Sequence, residues 1–129
     1  MSIELTLLIW SAALAFAYLL VQSTAYRLDY GLMHAGSQRD NERKPNKWAA
    51  RGNRALRNFL ETYGVFIALA VATEVSGRSD WLTQWGTQIW FWSRWVYLPA
   101  YFIDIPFLRS AVWSVSLVGL FLLFVGVAF

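Results

Sequence analysis

Two long uncharged runs lie near the ends of the chain. The first contains the 22 residues between Glu4 and Arg27, and the second contains the 20 residues from Ser110 to Phe129. A helix needs roughly 20 consecutive apolar residues to cross the hydrocarbon core of a bilayer. The pattern therefore predicts a membrane-spanning helix near each end of the chain, over residues 4–26 and 108–128.

Two further apolar segments occupy the middle of the chain, and both contain charged residues. Segment 54–75 carries Arg57 and Glu61, and segment 81–103 carries Arg94. Each is long enough to span a bilayer, and the short connections around them leave room for little else. The sequence therefore predicts an all-α integral membrane protein, in which a single domain forms a four-helix transmembrane bundle.

The composition supports a membrane protein and excludes several kinds of site. Of the 129 residues, 57% are hydrophobic, more than a small soluble domain can remove from water. The chain has no cysteine, which excludes disulfides and thiol nucleophiles of its own. The single histidine, His34, offers little for a zinc or haem site, so no metal is expected. The first apolar run is too long for the core of a cleavable signal peptide.

Positive charge is concentrated in one segment, which predicts the orientation in the membrane. Eight of the 11 lysines and arginines lie between residues 27 and 57, so the net charge of +3 does not indicate nucleic-acid binding. Basic loops remain cytoplasmic, so we expect the loop over residues 27–53 to face the cytoplasm and both termini to lie outside. Lys44 and Lys47 are expected to meet lipid head groups.

Polar side chains fall on one face of each central helix. The second helix carries Arg54, Arg57, Asn58 and Glu61, and the third carries Arg94, Tyr97 and Tyr101. At about 100° per residue, each set lies within an arc of about 100°. A charged side chain near the bilayer centre costs at least roughly 2.5–3.5 kcal/mol. These faces are therefore predicted to turn towards the bundle interior or a water-filled cavity.

Glu61 and Arg94 are expected to pair, because they reach similar depths. Counted from the predicted cytoplasmic ends of their helices, they lie roughly 13 Å and 15 Å deep at a rise of about 1.5 Å per residue. One interpretation is a structural ion pair that fixes helix register. The other is a polar cleft, open to the cytoplasm, that binds an anionic ligand. The excess of arginines, with Arg54, Arg57 and Arg109 beside this pair, favours the cleft.

Two blocks of sequence resemble one known family. The stretch RALRNFLETYGVF, residues 54–66, is similar to the signature of the MAPEG family, membrane-associated proteins in eicosanoid and glutathione metabolism. The signature positions are Arg54, Ala55, Asn58 and Glu61. The second block, RWVYLPAYFIDIPFLRS, resembles the third helix and following loop of the family through Arg94, Tyr97, Tyr101, Arg109 and Ser110. The resemblance covers essentially the whole chain and is of the bacterial type, which implies the bacterial inner membrane.

The resemblance implies a homotrimer that binds glutathione as a cosubstrate between neighbouring subunits, near the cytoplasmic face. By this resemblance, the tripeptide would be bound by Arg54, Arg57, Asn58 and Glu61. From the third helix it would be contacted by Arg94, Tyr97 and Tyr101. Arg109 would stabilise its thiolate with the help of Ser110. The implied activity is that of a transferase or peroxidase acting on a lipophilic electrophile that enters from the bilayer.

The sequence departs from the family pattern at two positions and leaves a second interpretation open. Leu56 stands where related enzymes often have histidine or glutamine, and Trp113 replaces a tyrosine sometimes found there. In the alternative, the chain is a non-enzymatic membrane protein whose polar face serves trimer assembly or binds another anion. A small transporter is disfavoured, because the chain shows no duplicated half.

Overall fold

The computed structural model describes residues 1–37 and 43–129, and over these two stretches every regular element is a helix. In chain order the helices are α1 (Ile3–Tyr30), α2 (Leu32–Ala35), α3 (Lys47–Ser76), α4 (Trp81–Ala100) and α5 (Leu108–Ala128). Residues 38–42, including Arg39 of the predicted basic loop, lie outside the described residues.

Three helices in the described ranges are long and apolar enough to cross a membrane, namely α1, α3 and α5. Large apolar side chains lie on their outer surfaces: Phe16 on α1 is 64% exposed, and Phe121 on α5 is 63% exposed. This much exposed apolar surface suits lipid rather than water. That α4 also crosses the membrane stays a prediction, because its two threonines, two glutamines, one serine and Arg94 lower its mean hydropathy.

Helix α3 begins at Lys47, about two turns before the predicted start at residue 54. Asn46 caps it, because its side-chain oxygen accepts a hydrogen bond from the backbone N–H of Ala49 at 2.9 Å. The added turns bury only small residues, among them Ala49 and Gly52, against the end of α1. Lys47, Arg51 and Asn53 make these turns polar, so they do not resemble part of an apolar segment. The predicted loop over residues 27–53 is therefore shorter than expected.

Helix α4 ends at Ala100, whereas the sequence predicted an end at residue 103. Two backbone hydrogen bonds between residues three apart tighten the chain there: Phe102 N donates to Pro99 O at 3.0 Å, and Ile103 N donates to Ala100 O at 3.3 Å. Bonds of this i to i+3 type are common where an α-helix terminates. The remaining residues, 101–107, form the connection to α5, which we call the α4–α5 connection.

Glycines allow α4 and α5 to pack closely. A Cβ added to Gly119 would lie 2.6 Å from the backbone nitrogen of Trp90, and one added to Gly86 would lie 2.6 Å from that of Leu123. Real Cβ atoms do not approach backbone this closely, so neither position accepts a side chain without a shift of the helices. Small residues at a helix interface are a common means of packing in membranes.

Stacked aromatic rings join α1, α3 and α4 in the centre of the fold. The ring centroids of Tyr18 and Phe59 lie 4.4 Å apart, and those of Phe66 and Trp90 lie 3.9 Å apart. All four side chains are buried. This aromatic core holds the facing surfaces of α3 and α4 at a fixed rotation, and the polar residues of both helices lie next to it.

Candidate functional site

Arg94 is fully buried on α4 and reaches across to α3. Its Nη1 donates to Oδ1 of Asn58 at 2.9 Å, and its Nη2 donates to Oγ1 of Thr62 at 2.8 Å. Its backbone carbonyl accepts a hydrogen bond from the Tyr18 hydroxyl at 2.7 Å. The Nε of Arg94 has no partner in the part of the chain that the structure describes. Arg94 is thus a buried cation whose direct partners are neutral.

The predicted ion pair between Glu61 and Arg94 is wrong. Glu61 is exposed, and none of the ion pairs within residues 1–37 and 43–129 includes it. The cause is the rotation of α3 about its axis. At about 100° per residue, Glu61 points about 60° away from Asn58 and about 100° away from Thr62, the two residues that meet Arg94. Similar depth therefore did not bring the two charges together.

Two tyrosines connect Arg94 to the end of α4. The guanidinium carbon of Arg94 lies 4.9 Å from the centre of the Tyr97 ring. The Tyr97 ring meets the Tyr101 ring edge-on, with 5.6 Å between centroids. Cations are attracted to the faces of aromatic rings, and more strongly where water is excluded. Both tyrosines are buried, so this contact contributes to holding the guanidinium in place.

Tyr101 in turn contacts two further arginines. Nε of Arg54 donates to its hydroxyl at 3.2 Å, and the guanidinium carbon of Arg109 lies 5.0 Å from the centre of its ring. Residues from α3, α4 and α5 therefore meet at one place. We call Arg54, Arg94, Tyr97, Tyr101 and Arg109 the arginine–tyrosine cluster. Among the described residues, no ion pair involves any of its three guanidinium groups.

A cavity of about 480 Å³ opens beside the arginine–tyrosine cluster, and we call it the connection cavity. Its lining includes Tyr101, Arg109 and Ser110, together with Arg51 and Asp104. Arg51 and Lys47 donate hydrogen bonds to the Asp104 carboxylate, and these hold its pKa below the ordinary value. The cavity thus combines cations, a hydroxyl and one carboxylate that is already paired.

The remaining predicted residues face another way. Arg57 and Glu61 are exposed on the outer surface of α3, where they line a second cavity of about 610 Å³ with Asn53, Leu56 and Leu60. We call it the α3 cavity. The α3 cavity and the connection cavity share no lining residue. In the isolated chain the predicted site is therefore divided between two cavities.

The structure places the predicted site residues in three groups. Five form the arginine–tyrosine cluster. Next to it, Asn58 accepts a hydrogen bond from Arg94, and Ser110 lines the connection cavity. Arg57 and Glu61 line the α3 cavity. The sequence missed Thr62, Arg51 and Asp104 as members of the site. Thr62 follows Asn58 by one helical turn, a spacing that indicates a shared face. Arg51 was missed because the helix was predicted to begin after it.

Comparison with known sequences settles the family. The sequence model of the MAPEG family matches residues 7–129. The chain belongs to the MAPEG family. This match confirms the resemblance seen in the two motifs, and together with the apolar helices it makes the chain an integral membrane protein of that family. No curated protein and no solved structure matches the chain.

Proposed function

We propose that this MAPEG protein is a glutathione-dependent transferase or peroxidase that acts on a lipophilic electrophile. The observation that carries the proposal is the fully buried guanidinium of Arg94, whose hydrogen-bond acceptors are the neutral Asn58 and Thr62. An uncompensated buried charge is costly, so an anionic ligand beside the arginine–tyrosine cluster would be strongly favoured. The family's association with glutathione metabolism supplies the candidate anion.

The residue types fit the chemistry of glutathione. The tripeptide has two carboxylates, and guanidinium groups such as Arg54 and Arg57 bind carboxylates through paired hydrogen bonds. It has one ammonium group, for which Glu61 is the matching partner. Asn58, Tyr97 and Tyr101 offer amide and hydroxyl groups for the peptide bonds. The excess of cations over carboxylates agrees with a ligand of net negative charge.

A homotrimer would unite the two parts of the site. Arg57 and Glu61 are exposed on α3, although α3 is apolar enough to cross a membrane. Contact with lipid near the bilayer centre would cost at least roughly 2.5–3.5 kcal/mol for each charge. A neighbouring subunit that covers the α3 cavity with its own cluster would remove this cost. Glutathione would then lie between two subunits, near the cytoplasmic surface.

The proposed orientation follows from charge and helix number. The segment before α3 carries Arg43 and Lys44, and basic segments remain on the cytoplasmic side. With α4 crossing as a fourth span, both termini would lie on the side of the bacterial inner membrane that faces away from the cytoplasm. The basic side chains would meet anionic lipids there. A lipophilic substrate would reach the site from the bilayer.

Arg109 is the residue proposed to stabilise the glutathione thiolate. It is exposed at the start of α5 and contacts the Tyr101 ring, so its guanidinium remains near both the cavity and the arginine–tyrosine cluster. A nearby cation favours the ionised form of a thiol, which is the nucleophile. Ser110, beside it in the cavity, would donate a hydrogen bond to the sulfur. The thiolate sulfur would then form a bond to the electrophilic centre of the second substrate while the bond to the leaving group breaks, and the leaving group would take up the proton that the thiol released.

Calorimetry on the purified, detergent-solubilised protein tests the proposal. We expect glutathione to bind, and we expect Arg54→Ala and Glu61→Gln each to weaken binding about 10-fold or more, as for loss of a charge-assisted hydrogen bond. A matched control is Arg78→Ala, because Arg78 lies in the connection between α3 and α4 and contacts Val127. Absence of binding by a correctly assembled protein would refute the proposal.

The alternative is a non-enzymatic protein whose polar face serves assembly or binds another anion. The hydrogen bonds of Arg94 favour it, because they also join α3 to α4 without any ligand. In that case Arg54→Ala and Glu61→Gln would disturb the oligomeric state, and glutathione would not protect the protein against thermal unfolding. Size-exclusion chromatography with light scattering measures the first effect.

A further inference from the structure

Asp104 fastens the α4–α5 connection to the start of α3. Its Oδ2 accepts a hydrogen bond from Nζ of Lys47 at 3.1 Å, and its Oδ1 accepts one from Nη2 of Arg51. Nη1 of Arg51 also donates to the carbonyl of Phe102 at 3.4 Å. Side chains one turn apart on α3 therefore hold both the backbone and the carboxylate of the connection.

An aromatic contact supports the same attachment. The rings of Trp48 and Phe102 stack with 5.9 Å between centroids and an interplanar angle of 24°. The charged groups of Lys47 and Arg51 lie 5.0 Å and 5.4 Å from the centre of the Trp48 ring. Trp48 therefore positions both cations next to Asp104 while it holds Phe102.

The connection lies between two members of the arginine–tyrosine cluster. Tyr101 is its first residue, and Arg109 follows its last residue by two positions. The contact of 5.0 Å between the Arg109 guanidinium and the Tyr101 ring therefore depends on the path of the connection. Phe107, at its end, has a φ of 64°, in the left-handed region. This conformation is unfavourable for a non-glycine residue, so other contacts must impose it.

We propose that Asp104 is a positioning residue for this site. Held by Lys47 and Arg51, it fixes the α4–α5 connection and so keeps Arg109 against Tyr101. The role is separate from ligand binding, because the Asp104 carboxylate already has two cationic partners and its negative charge would repel an anion. Only the ligand-binding readout of this inference rests on the proposed function.

The absence of cysteine from the chain allows a direct measurement of the connection. Ala100→Cys, at a buried position that lines the connection cavity, introduces a single thiol that a maleimide reaches only when the connection moves, so its reaction rate reports that movement. In this background, Asp104→Asn is expected to raise the labelling rate about two- to fivefold, the range that exposed ion pairs support. Asp104→Glu is expected to keep the original rate.

The partners of Asp104 give an internal check. Arg51→Met should raise the labelling rate, and adding it to Asp104→Asn should produce much less than the product of the two effects, because both remove one interaction. Asp80→Asn is the matched control. Asp80 is an exposed carboxylate at the start of α4, and asparagine retains its capping function. This control should leave the labelling rate unchanged.

Glutathione binding gives the second readout. Asp104→Asn without the added cysteine should weaken binding about two- to fivefold, and Asp104→Glu should restore it. Unchanged labelling and unchanged affinity in Asp104→Asn would overturn the inference, as would a weaker affinity that Asp104→Glu does not restore. If the parent protein binds no glutathione, the proposed function fails. The inference is then decided by labelling alone: it stands if the rate rises, and falls if it does not.

Discussion

Nη1 of Arg94 donates a hydrogen bond to Oδ1 of Asn58 across 2.9 Å and so joins α4 to α3 beside the aromatic core. Both side chains lie on helices assigned to a membrane protein, where few water molecules are present to replace a lost partner. This hydrogen bond links the fold to the proposed function: it fixes the guanidinium through a neutral acceptor, and within residues 1–37 and 43–129 the guanidinium forms no ion pair.

Removal of the Asn58 acceptor should destabilise the protein. Asn58→Leu leaves a guanidinium N–H of the fully buried Arg94 without a partner, at a cost of about 1.5–3 kcal/mol, as for hydrogen bonds to charged groups. Thermal unfolding in detergent measures the change. Asn58→Asp supplies a carboxylate instead and should remain stable, yet bind glutathione more weakly, because the new charge competes with the ligand. Equal affinity in Asn58→Asp would contradict the role of Arg94 as an anion-binding cation.

Close packing of α4 and α5 predicts a difference between two glycines. Gly119→Ala places a Cβ 2.6 Å from the Trp90 backbone nitrogen, so we expect a loss of about 1–3 kcal/mol in the free energy of unfolding, as in other overpacked interiors. Gly64→Ala is the control, because a Cβ at Gly64 on α3 meets nothing within 4 Å. It should be neutral or slightly stabilising, since alanine favours helix. Similar unfolding temperatures for the two variants would argue against the close contact.

The Asp104 attachment should depend on pH. The hydrogen bond from Arg51, and then that from Lys47, lowers the pKa of Asp104 from its ordinary value of 3.8. A carboxyl group whose pKa is lower in the folded state adds stability above its ordinary pKa, and this is lost as the pH falls through the lowered value. Wild type should therefore unfold at a higher temperature than Asp104→Asn at neutral pH, and the difference should shrink as the pH falls below 3.8 and disappear once the pH has passed the lowered pKa. A difference that persists in strong acid would exclude this origin.

The role of Arg109 predicts a change in the ionisation of bound glutathione. Arg109→Ala removes the nearby cation, so the thiol should ionise at higher pH, and the ultraviolet absorbance of the thiolate should be reduced at neutral pH. Arg109→Lys keeps the charge and should retain part of the signal. An unchanged thiolate signal in Arg109→Ala would assign this role to another residue.

Buried Glu4 is expected to stabilise the fold at the end opposite to the arginine–tyrosine cluster. Its carboxylate is fully buried, accepts a hydrogen bond from the Thr83 hydroxyl at 2.7 Å and another from the Ser79 hydroxyl at 2.9 Å, and so joins α1 to α4. Glu4→Ala should lower the free energy of unfolding by about 1–3 kcal/mol, because the Ser79 hydroxyl loses its acceptor and the Thr83 hydroxyl keeps only the Asp80 carbonyl at 3.0 Å. Glu4→Gln retains an acceptor and should be less harmful. Denaturation of the three proteins under one set of conditions compares them.

The class of protein and the residue types of the site follow from local sequence patterns. Uncharged runs of 22 and 20 residues require apolar helices, because a backbone in lipid must satisfy its own hydrogen bonds. Helical spacing also placed the arginines on shared faces, and the two motifs identified the family. These features are local, since they depend on residues within a few turns of one another.

Which of these polar groups meet depends on how the helices pack against one another. Periodicity gives the position of a side chain around its own helix axis, but not the rotation of that helix against its neighbours. That rotation is set by the aromatic core and by the glycines between α4 and α5. It is the reason that Arg94 meets Asn58 and Thr62 rather than Glu61, and that Glu61 faces outwards. The role of Asp104 likewise depends on Lys47 and Arg51 in the first two turns of α3. These turns lack an apolar pattern, so the sequence did not predict them to be helical.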